Sequence, residues 1–311
     1  MGKIISLGHI NPDTDSALSA ILISRFAKKI FGFDVEPRVA GDINNETKYL
    51  LSLLKINKPD IMEKITDENV VLVDTTEPGQ ILPGLTDVNL AAIIDHHNLG
   101  GLKSGHPILA RIEPVGSTAT VIYKILKEKN IKIDKISAAL MIACIISDTL
   151  NLTSPTTSAD DKKALKELNK IAKLDLKKFI KAQFAAKSSL EGIATGDIVS
   201  KDYKNFEMGK SKVGIGVWET TNTESISSKK SELMAALEAK KTAEKLDFIF
   251  FLVVDILKEN GIMYIAGEPE KTLAEKVFGA KAENNEIFLK GIVSRKKQVV
   301  PPLMGELTKK E

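Results

Sequence analysis

The stretch Leu90-Ala91-Ala92-Ile93-Ile94-Asp95-His96-His97 decides how this chain is read. An apolar run of strand length stops at a carboxylate, and two of the chain's four histidines follow at once. Open α/β sheets place their chemistry just past the carboxyl ends of their strands. Taken alone, the pair also fits two unrelated histidines on a surface loop. The flanking sequence decides between these readings.

Outward from this stretch the same arrangement recurs. Residues 3–7 form a short β-prone run that ends in Gly8-His9-Ile10-Asn11-Pro12-Asp13-Thr14-Asp15. Apolar residues then return at helical spacing: Leu18, Ile21, Leu22, Phe26 and Ile30. Asn11-Pro12 reads as a turn, and Thr14 or Asp15 as the cap of the helix that follows. Residues 35–40 form a second candidate strand, and 47–54 a helix. Residues 70–73 form a buried strand that stops at Asp74. A helix is expected over 117–127, just after Pro114-Val115-Gly116. A mostly apolar helix over 136–146 ends at Ser147-Asp148-Thr149. Strands alternating with helices through short connections predict an α/β fold: an N-terminal parallel-sheet domain with helices on both faces.

Two polar helices, over 160–170 and 177–185, close this half. Around Ala186-Lys187-Ser188-Ser189 the pattern loosens. The expected division is a domain over 1–186, a linker over 187–195, and a smaller C-terminal mixed α/β domain over 196–311. Strands are expected there over 213–218, 248–255, 262–266 and 287–289, with helices over 231–245 and 271–278. Asn260-Gly261 between two apolar runs is a hairpin signal.

Composition bounds the function. Hydrophobic residues make up 43% of the chain and charged residues 27%, as in an ordinary soluble globular protein. A net charge of +3 with interspersed signs argues against a nucleic-acid partner held by electrostatics. The single cysteine, Cys144, lies in an apolar segment and rules out a disulfide framework. No signal-peptide core and no run of membrane-spanning length is visible. The expectation is a cytoplasmic enzyme or binding protein with no membrane partner.

The candidate chemistry lies at the element ends: His9, Asp13 and Asp15; Asp74; Asp95, His96 and His97; and Asp148. Strand ends of a parallel sheet lie along one edge, so these groups can converge. So many carboxylates and imidazoles cannot converge without cations. Histidine with aspartate and no cysteine suits Mn²⁺, Co²⁺, Mg²⁺ or Zn²⁺. Two ions about 3.5–4 Å apart, bridged by a carboxylate and a water, would suit phosphoryl hydrolysis. Read singly, Asp13 and Asp15 are plain helix caps and Asp74 a turn residue. Asp148 at a helix C-terminus opposes the dipole, which favours a cation partner. His106 reads as a surface histidine. Near the carboxyl end, the Arg-Lys-Lys run of Ser294-Arg295-Lys296-Lys297-Gln298 is, as such runs usually are, a solvated face, or else its place between two apolar stretches holds Arg295 and Lys296 toward a cleft, where they could bind phosphate. Lys204 is a weaker candidate.

Together these motifs resemble the family II inorganic pyrophosphatases of the DHH phosphoesterase superfamily, over nearly the whole chain. The segments that carry the resemblance are 8–15, Asp74, Asp95-His96-His97, 113–120, 146–149 and 294–298. The resemblance implies that His9 and Asp13 hold one metal, that Asp15, His96 and Asp148 hold the other, and that Asp74 bridges them. It implies that His97 faces the substrate and that Lys204, Arg295 and Lys296 grip pyrophosphate from the second domain. Asp95 would orient a histidine. Two Mn²⁺ or Co²⁺ per subunit, Mg²⁺ arriving with pyrophosphate, a metal-activated bridging water, a cleft closed by the C-terminal domain and a homodimer are the further expectations. Thr75-Thr76 departs from the usual His-Asn of that family, which bears on metal preference and not on the reaction. The alternatives are a DHH-type polyphosphatase or a nucleotide or oligonucleotide phosphodiesterase, and a non-catalytic metal- or phosphate-binding protein.

Overall fold

The computed structural model describes residues 2–200 and 202–309. The chain divides into two compact units, residues 1–187 and 188–311.

The first unit runs β1 (Ile4–Leu7), α1 (Thr14–Phe31), β2 (Glu36–Val39), α2 (Asn45–Leu53), β3 (Asp60–Ile61), β4 (Asn69–Val73), β5 (Leu90–Asp95) and β6 (Leu109–Ile112). Helices α3 (Thr118–Glu128), α4 (Lys135–Asp148), α5 (Ala159–Ala172) and α6 (Leu176–Lys187) follow. The strands form one parallel sheet in the order β3-β2-β1-β4-β5-β6. The α/β class and the parallel sheet are as expected. The expected helices on both faces are, more narrowly, a helical layer on one face. Val71, Val73, Ala92 and Ile94 pack with residues of α1 to α6. On the opposite face Ile5, Leu7, Val70 and Leu72 pack on Ile65, Ile81 and Leu82 from connecting segments. Both faces of β4 and β5 are thus dry, which is why they read as continuous apolar runs. The first helix is capped by Asp13, whose side chain accepts from the Ser16 N–H, rather than by Thr14 or Asp15.

The second unit contains α7 (Thr195–Ser200), β7 (Asp202–Met208), β8 (Ser211–Thr220), α8 (Glu224–Ser227), α9 (Lys230–Ala243), β9 (Phe248–Asp255), β10 (Asn260–Ile265), α10 (Glu268–Phe278) and β11 (Glu286–Lys290). A π-helical turn at Arg295–Val299 runs into α11 (Val300–Leu307). The sheet order is β11-β10-β9-β8-β7, with β8 and β9 parallel and the other neighbours antiparallel. Phe250, Leu252 and Val254 of β9 face the core of α10 and α11, and Ile249, Phe251 and Val253 face that of α7 to α9.

Asn260-Gly261 is not the hairpin turn. Asp255 pairs with Asn260, so residues 256–259 make the turn, with Glu259 at a φ of 54°. Gly261 belongs to β10, where a Cβ would meet the Ile292 carbonyl at 2.7 Å. Leu190, just after the first unit, is buried in the second unit's core. Among the described residues no helix is long and apolar enough to cross a membrane.

Candidate metal centre

The sheet register builds this site. Leu7 of β1 pairs with Leu72 of β4, and Val73 of β4 with Ile94 of β5. Carried on by a residue or two, the three strands deliver His9, Asp74 and Asp95-His96-His97 to one edge. β1 and β4 are neighbours from which the chain departs in opposite directions, to β2 and to β5. Such a reversal opens a crevice at the carboxyl edge. The turn after β1 is tight: a Cβ on Gly8 would lie 1.9 Å from Ser16 Oγ. Bare backbone lets the His9 N–H reach that oxygen at 3.2 Å.

Asp74 is the centre of the arrangement. It is buried and sits in the left-handed region, at a φ of 61°. That conformation costs an ordinary residue on the order of 1 kcal/mol. Its N–H donates to the Ile94 carbonyl at 3.1 Å, which holds the turn. His9 Nε2 lies 3.6 Å from Asp74 Oδ2 and 3.6 Å from Asp13 Oδ1. His96 Nε2 lies 3.3 Å from Asp74 Oδ1, 3.5 Å from Asp148 Oδ2 and 4.0 Å from Asp15 Oδ2.

These separations are long for hydrogen bonds. Two ligands each ~2.1 Å from one metal lie about 3.0–3.4 Å apart at adjacent positions. His96 Nε2 to Asp74 Oδ1, at 3.3 Å, falls in that range, and the other four separations are slightly wider. Among the described residues, Asp74 Oδ2 and His96 Nε2 are buried and find no hydrogen-bond partner. Ligand atoms of Asp15, Asp74, His96 and Asp148 lie within 4.8 Å of one another, as do those of His9, Asp13 and Asp74. Both sets include Asp74, whose Oδ2 faces His9 and whose Oδ1 faces His96, and a third such set joins Asp74, His96 and His97. Carboxylate and imidazole donors without sulfur fit a borderline-hard divalent cation.

The histidine rings are aimed from behind. His9 Nδ1 lies 2.9 Å from its neighbour Ile10's carbonyl, and His96 Nδ1 3.0 Å from the Val115 carbonyl. A carbonyl can only accept, so each Nδ1 carries a proton and Nε2 is left for the cluster. Asp15 rests on the N-terminus of α3. Its oxygens accept from Ser117 Oγ at 3.0 Å, from the Thr118 N–H at 2.6 Å and from Ser19 Oγ at 3.1 Å. Thr118 Oγ1 donates to Asp74 at 2.9 Å. Buried Asp161 in turn holds Gly116 N–H at 2.8 Å and Thr120 Oγ1 at 2.6 Å, and so fixes that N-terminus.

Without a cation the cluster takes up protons. Burial works to lower the His9 pKa, but Asp13 and Asp74 outweigh it and raise it from 6.5 to about 11. His96, similarly opposed by burial, rises to about 9 through Asp74 and Asp15. Burial, with Asp74 beside it, raises Asp15 to about 6. Burial and Asp15 push Asp148 well above its ordinary value. Asp74 is also buried, yet the two imidazoles facing it hold it below the usual carboxylate range.

His97 lies against its neighbour, with ring centroids 4.2 Å apart, but is more open to solvent. Its side chain is 53% exposed, and its Nδ1 sits 2.9 Å from Asp95 Oδ1 and 3.8 Å from Asp74 Oδ1. Asp95 is fully buried and also accepts the backbone N–H groups of His96, at 2.7 Å, and His97, at 3.1 Å. The histidine that Asp95 orients through its ring is thus His97. The Asp95 contact, opposed by burial, raises the His97 pKa.

The structure brings His9, Asp13, Asp15, Asp74, His96 and Asp148 together, with His97 beside them. Lys204, Arg295 and Lys296 belong to the second unit. Lys204 and Lys296 are exposed. The Arg295 guanidinium is engaged: it donates to the Asp202 carboxylate at 2.7 Å, and to the carbonyls of Asp202 at 2.7 Å and Ile215 at 3.1 Å. Ile215 is the cross-strand partner of Lys204, so Arg295 and Lys204 share one corner of that sheet. Sequence reasoning gave no role to Ser117, Thr118 or Asp161. For Ser117 and Thr118 the signal was the Gly116-Ser117-Thr118 run at a helix start, which marks a cap and does not say what the cap holds; Asp161 lies in the Ser158 capping box of α5.

Two family models match the chain: the DHH family N-terminal domain over residues 3–145, and the DHHA2 domain over 181–305. The chain is 38% identical over 308 residues to the manganese-dependent inorganic pyrophosphatase of Methanothrix thermoacetophila, covering 99% of each. The chain belongs to this family. The manganese-dependent inorganic pyrophosphatase of Methanocaldococcus jannaschii is 40% identical, with 96% of this chain and 97% of that one covered. That of Bacillus subtilis is 38% identical, with 97% and 98% covered. A Methanococcus jannaschii crystal structure assigned to the family II inorganic pyrophosphatases superposes with a TM-score of 0.62 at 37% identity, covering 98% of this chain and 99% of that one. An exopolyphosphatase-related protein of Bacteroides fragilis shares the fold at 15% identity, with a TM-score of 0.51 and 98% and 92% covered.

Proposed function

We propose that this chain hydrolyses inorganic pyrophosphate to two orthophosphates at a pair of divalent cations held in the first unit. The observation that carries this is the pair of buried atoms without a hydrogen-bond partner among the described residues, Asp74 Oδ2 and His96 Nε2, within groups that could each hold a metal ion. Family membership at near-full-length coverage supports the same substrate. In this reading His9 and Asp13 hold one ion, Asp15, His96 and Asp148 the other, and Asp74 serves both. The ions are Mn²⁺ or Co²⁺, two per subunit, with Mg²⁺ arriving on the substrate. Such ions lower the pKa of water and neutralise phosphoryl charge.

The chain's own residues do the rest. His97 Nδ1 donates to Asp95, so a protonated ring presents Nε2–H outward, where it can hydrogen-bond or protonate a departing phosphate oxygen. The raised His97 pKa favours that protonated form. Arg295, Lys296 and Lys204 bind the phosphate oxygens as the second unit's contribution, Arg295 through its planar fork. Thr76 Oγ1 donates to the Asn98 carbonyl at 2.9 Å and accepts from the Gly100 N–H at 2.7 Å, so it steadies the loop after His97. Residues 1–186 form the metal-binding part and 196–311 the substrate-binding part, in a cytoplasmic homodimer.

The test is phosphate release from pyrophosphate, tripolyphosphate and a dinucleotide, each with Mn²⁺. Release from pyrophosphate is expected to dominate. Release from the dinucleotide alone would sink the reading, and release from none would make the chain a binding protein.

A further inference from the structure

Behind the metal cluster lies a second buried polar group that the proposed reaction does not use. Glu46, in the first turn of α2, is 1% exposed. Its Oε2 accepts from Thr14 Oγ1 at 2.9 Å and from Ser147 Oγ at 3.0 Å, and lies 3.4 Å from Lys187 Nζ. Its Oε1 accepts from Gln183 Nε2 at 2.8 Å. Lys187 also donates to Ser147 Oγ at 2.8 Å, and Gln183 to the Ala143 carbonyl at 2.8 Å. One carboxylate thus gathers α1, α4 and α6 onto α2.

The donors' positions give the network its meaning. Thr14 stands between Asp13 and Asp15, and Ser147 immediately precedes Asp148. These flanking side chains point away from the cluster and into the Glu46 knot. A carboxylate with this burial is costly unless its partners are all in place. Fixing Thr14 and Ser147 on one oxygen therefore fixes the separation between the start of α1 and the end of α4. That separation is the one an ion between Asp15 and Asp148 would have to span. Lys187, the last residue of the first unit, closes the same knot.

We infer that Glu46 is a positioning residue of the metal centre, setting the spacing of Asp13, Asp15 and Asp148 through Thr14 and Ser147. The inference rests on the metal-centre reading above. Groups that orient metal ligands without touching the ion typically govern affinity by 10–100-fold, as an order of magnitude.

The test is Mn²⁺ titration by calorimetry on the unsubstituted chain and on its Glu46→Ala and Glu46→Gln variants in parallel. Glu46→Ala is expected to weaken Mn²⁺ binding by about 30-fold. Glu46→Gln keeps an acceptor for Thr14 and Ser147 and is expected to recover most of it. At saturating Mn²⁺ the pyrophosphate KM should stay within about twofold of the parent, because the knot touches no phosphate-binding group. Mn²⁺ affinity of Glu46→Ala equal to the parent's, with only a lower melting temperature, would overturn the proposal. So would equal losses in the two variants. Should Glu46→Ala fail to fold, Ser147→Ala and Lys187→Met each remove one donor. Each is then expected to weaken Mn²⁺ about threefold, on the order of the loss of one modest hydrogen bond, and unchanged affinity in both overturns the proposal. If the unsubstituted chain binds no Mn²⁺, the metal-centre reading itself falls.

Discussion

In the first unit Asp15, Asp74 and His96 are mostly buried and held from behind, with Asp13 and His97 more open; in the second, Lys204 and Lys296 stand at the surface. Asp15 and Asp74 are closed off from water, each gripped by hydroxyl or backbone donors. Lys204 and Lys296 are exposed, and Arg295 is pinned by Asp202, a half-exposed partner. The contrast follows from what each region would bind. A cation site must keep like charges close before the ion arrives, so its ligands need rigid support against their own repulsion. An anion grip needs reach, and flexible stems with solvated heads provide it.

The contrast can be broken most severely at Asp74. Asp74→Asn removes the charge that the proposed function assigns to both ions. It is expected to abolish tight Mn²⁺ binding and to reduce pyrophosphate turnover by about 10³-fold or more, some 4 kcal/mol of barrier. Retained turnover with Mn²⁺ would refute a shared centre. His97→Gln should separate the two functions: turnover down about 100-fold, Mn²⁺ affinity within about twofold. A comparable loss of metal binding would make His97 a ligand.

The next effect is on pH. The metal-free cluster binds more protons than the metal-bound one, because His9 and His96 are held protonated up to about 11 and about 9. Asp15, raised to about 6, and Asp148 add to the same side. Affinity for Mn²⁺ must therefore rise with pH on the way to about 9, by roughly tenfold per pH unit for each proton displaced. Calorimetry in buffers of different ionisation enthalpy counts those protons. A pH-independent affinity would mean that the imidazoles are not ligands.

The smallest effect belongs to the second unit. Asp202→Ala removes the half-exposed carboxylate partner of Arg295, a pair worth about 1 kcal/mol, and leaves its bonds to the Asp202 and Ile215 carbonyls. It is expected to raise the pyrophosphate KM by less than about fivefold and to leave Mn²⁺ affinity unchanged. A change in Mn²⁺ affinity would contradict the separation drawn between the units.

Among the strands, those most plainly legible in the sequence were the ones with both faces dry. β4, β5 and β9 are uninterrupted apolar runs, and each lies inside a sheet. The strands that escaped notice are the edges. β3 has two residues, β6 is half exposed and β7 mostly so, and their residues carry little apolar signal. The hairpin signal at Asn260-Gly261 pointed to the right strand pair and the wrong turn. There the glycine answers to a close backbone contact and not to a turn. Glu46 gave no signal at all. Its partners Ser147 and Gln183 lie 101 and 137 residues away, on helices whose mutual packing no local pattern encodes.

The sequence by itself determined where ligand groups leave the sheet, because a strand's end is a local event: an apolar run stops and a carboxylate or imidazole follows. Only the tertiary structure decided which of those ends meet. The strand order brings β1 beside β4, Asp74 adopts a left-handed turn that points its two oxygens to different partners, and Asp95 takes His97 while Val115 takes His96. Those are facts of distance between residues far apart in the chain, and distance is set by packing.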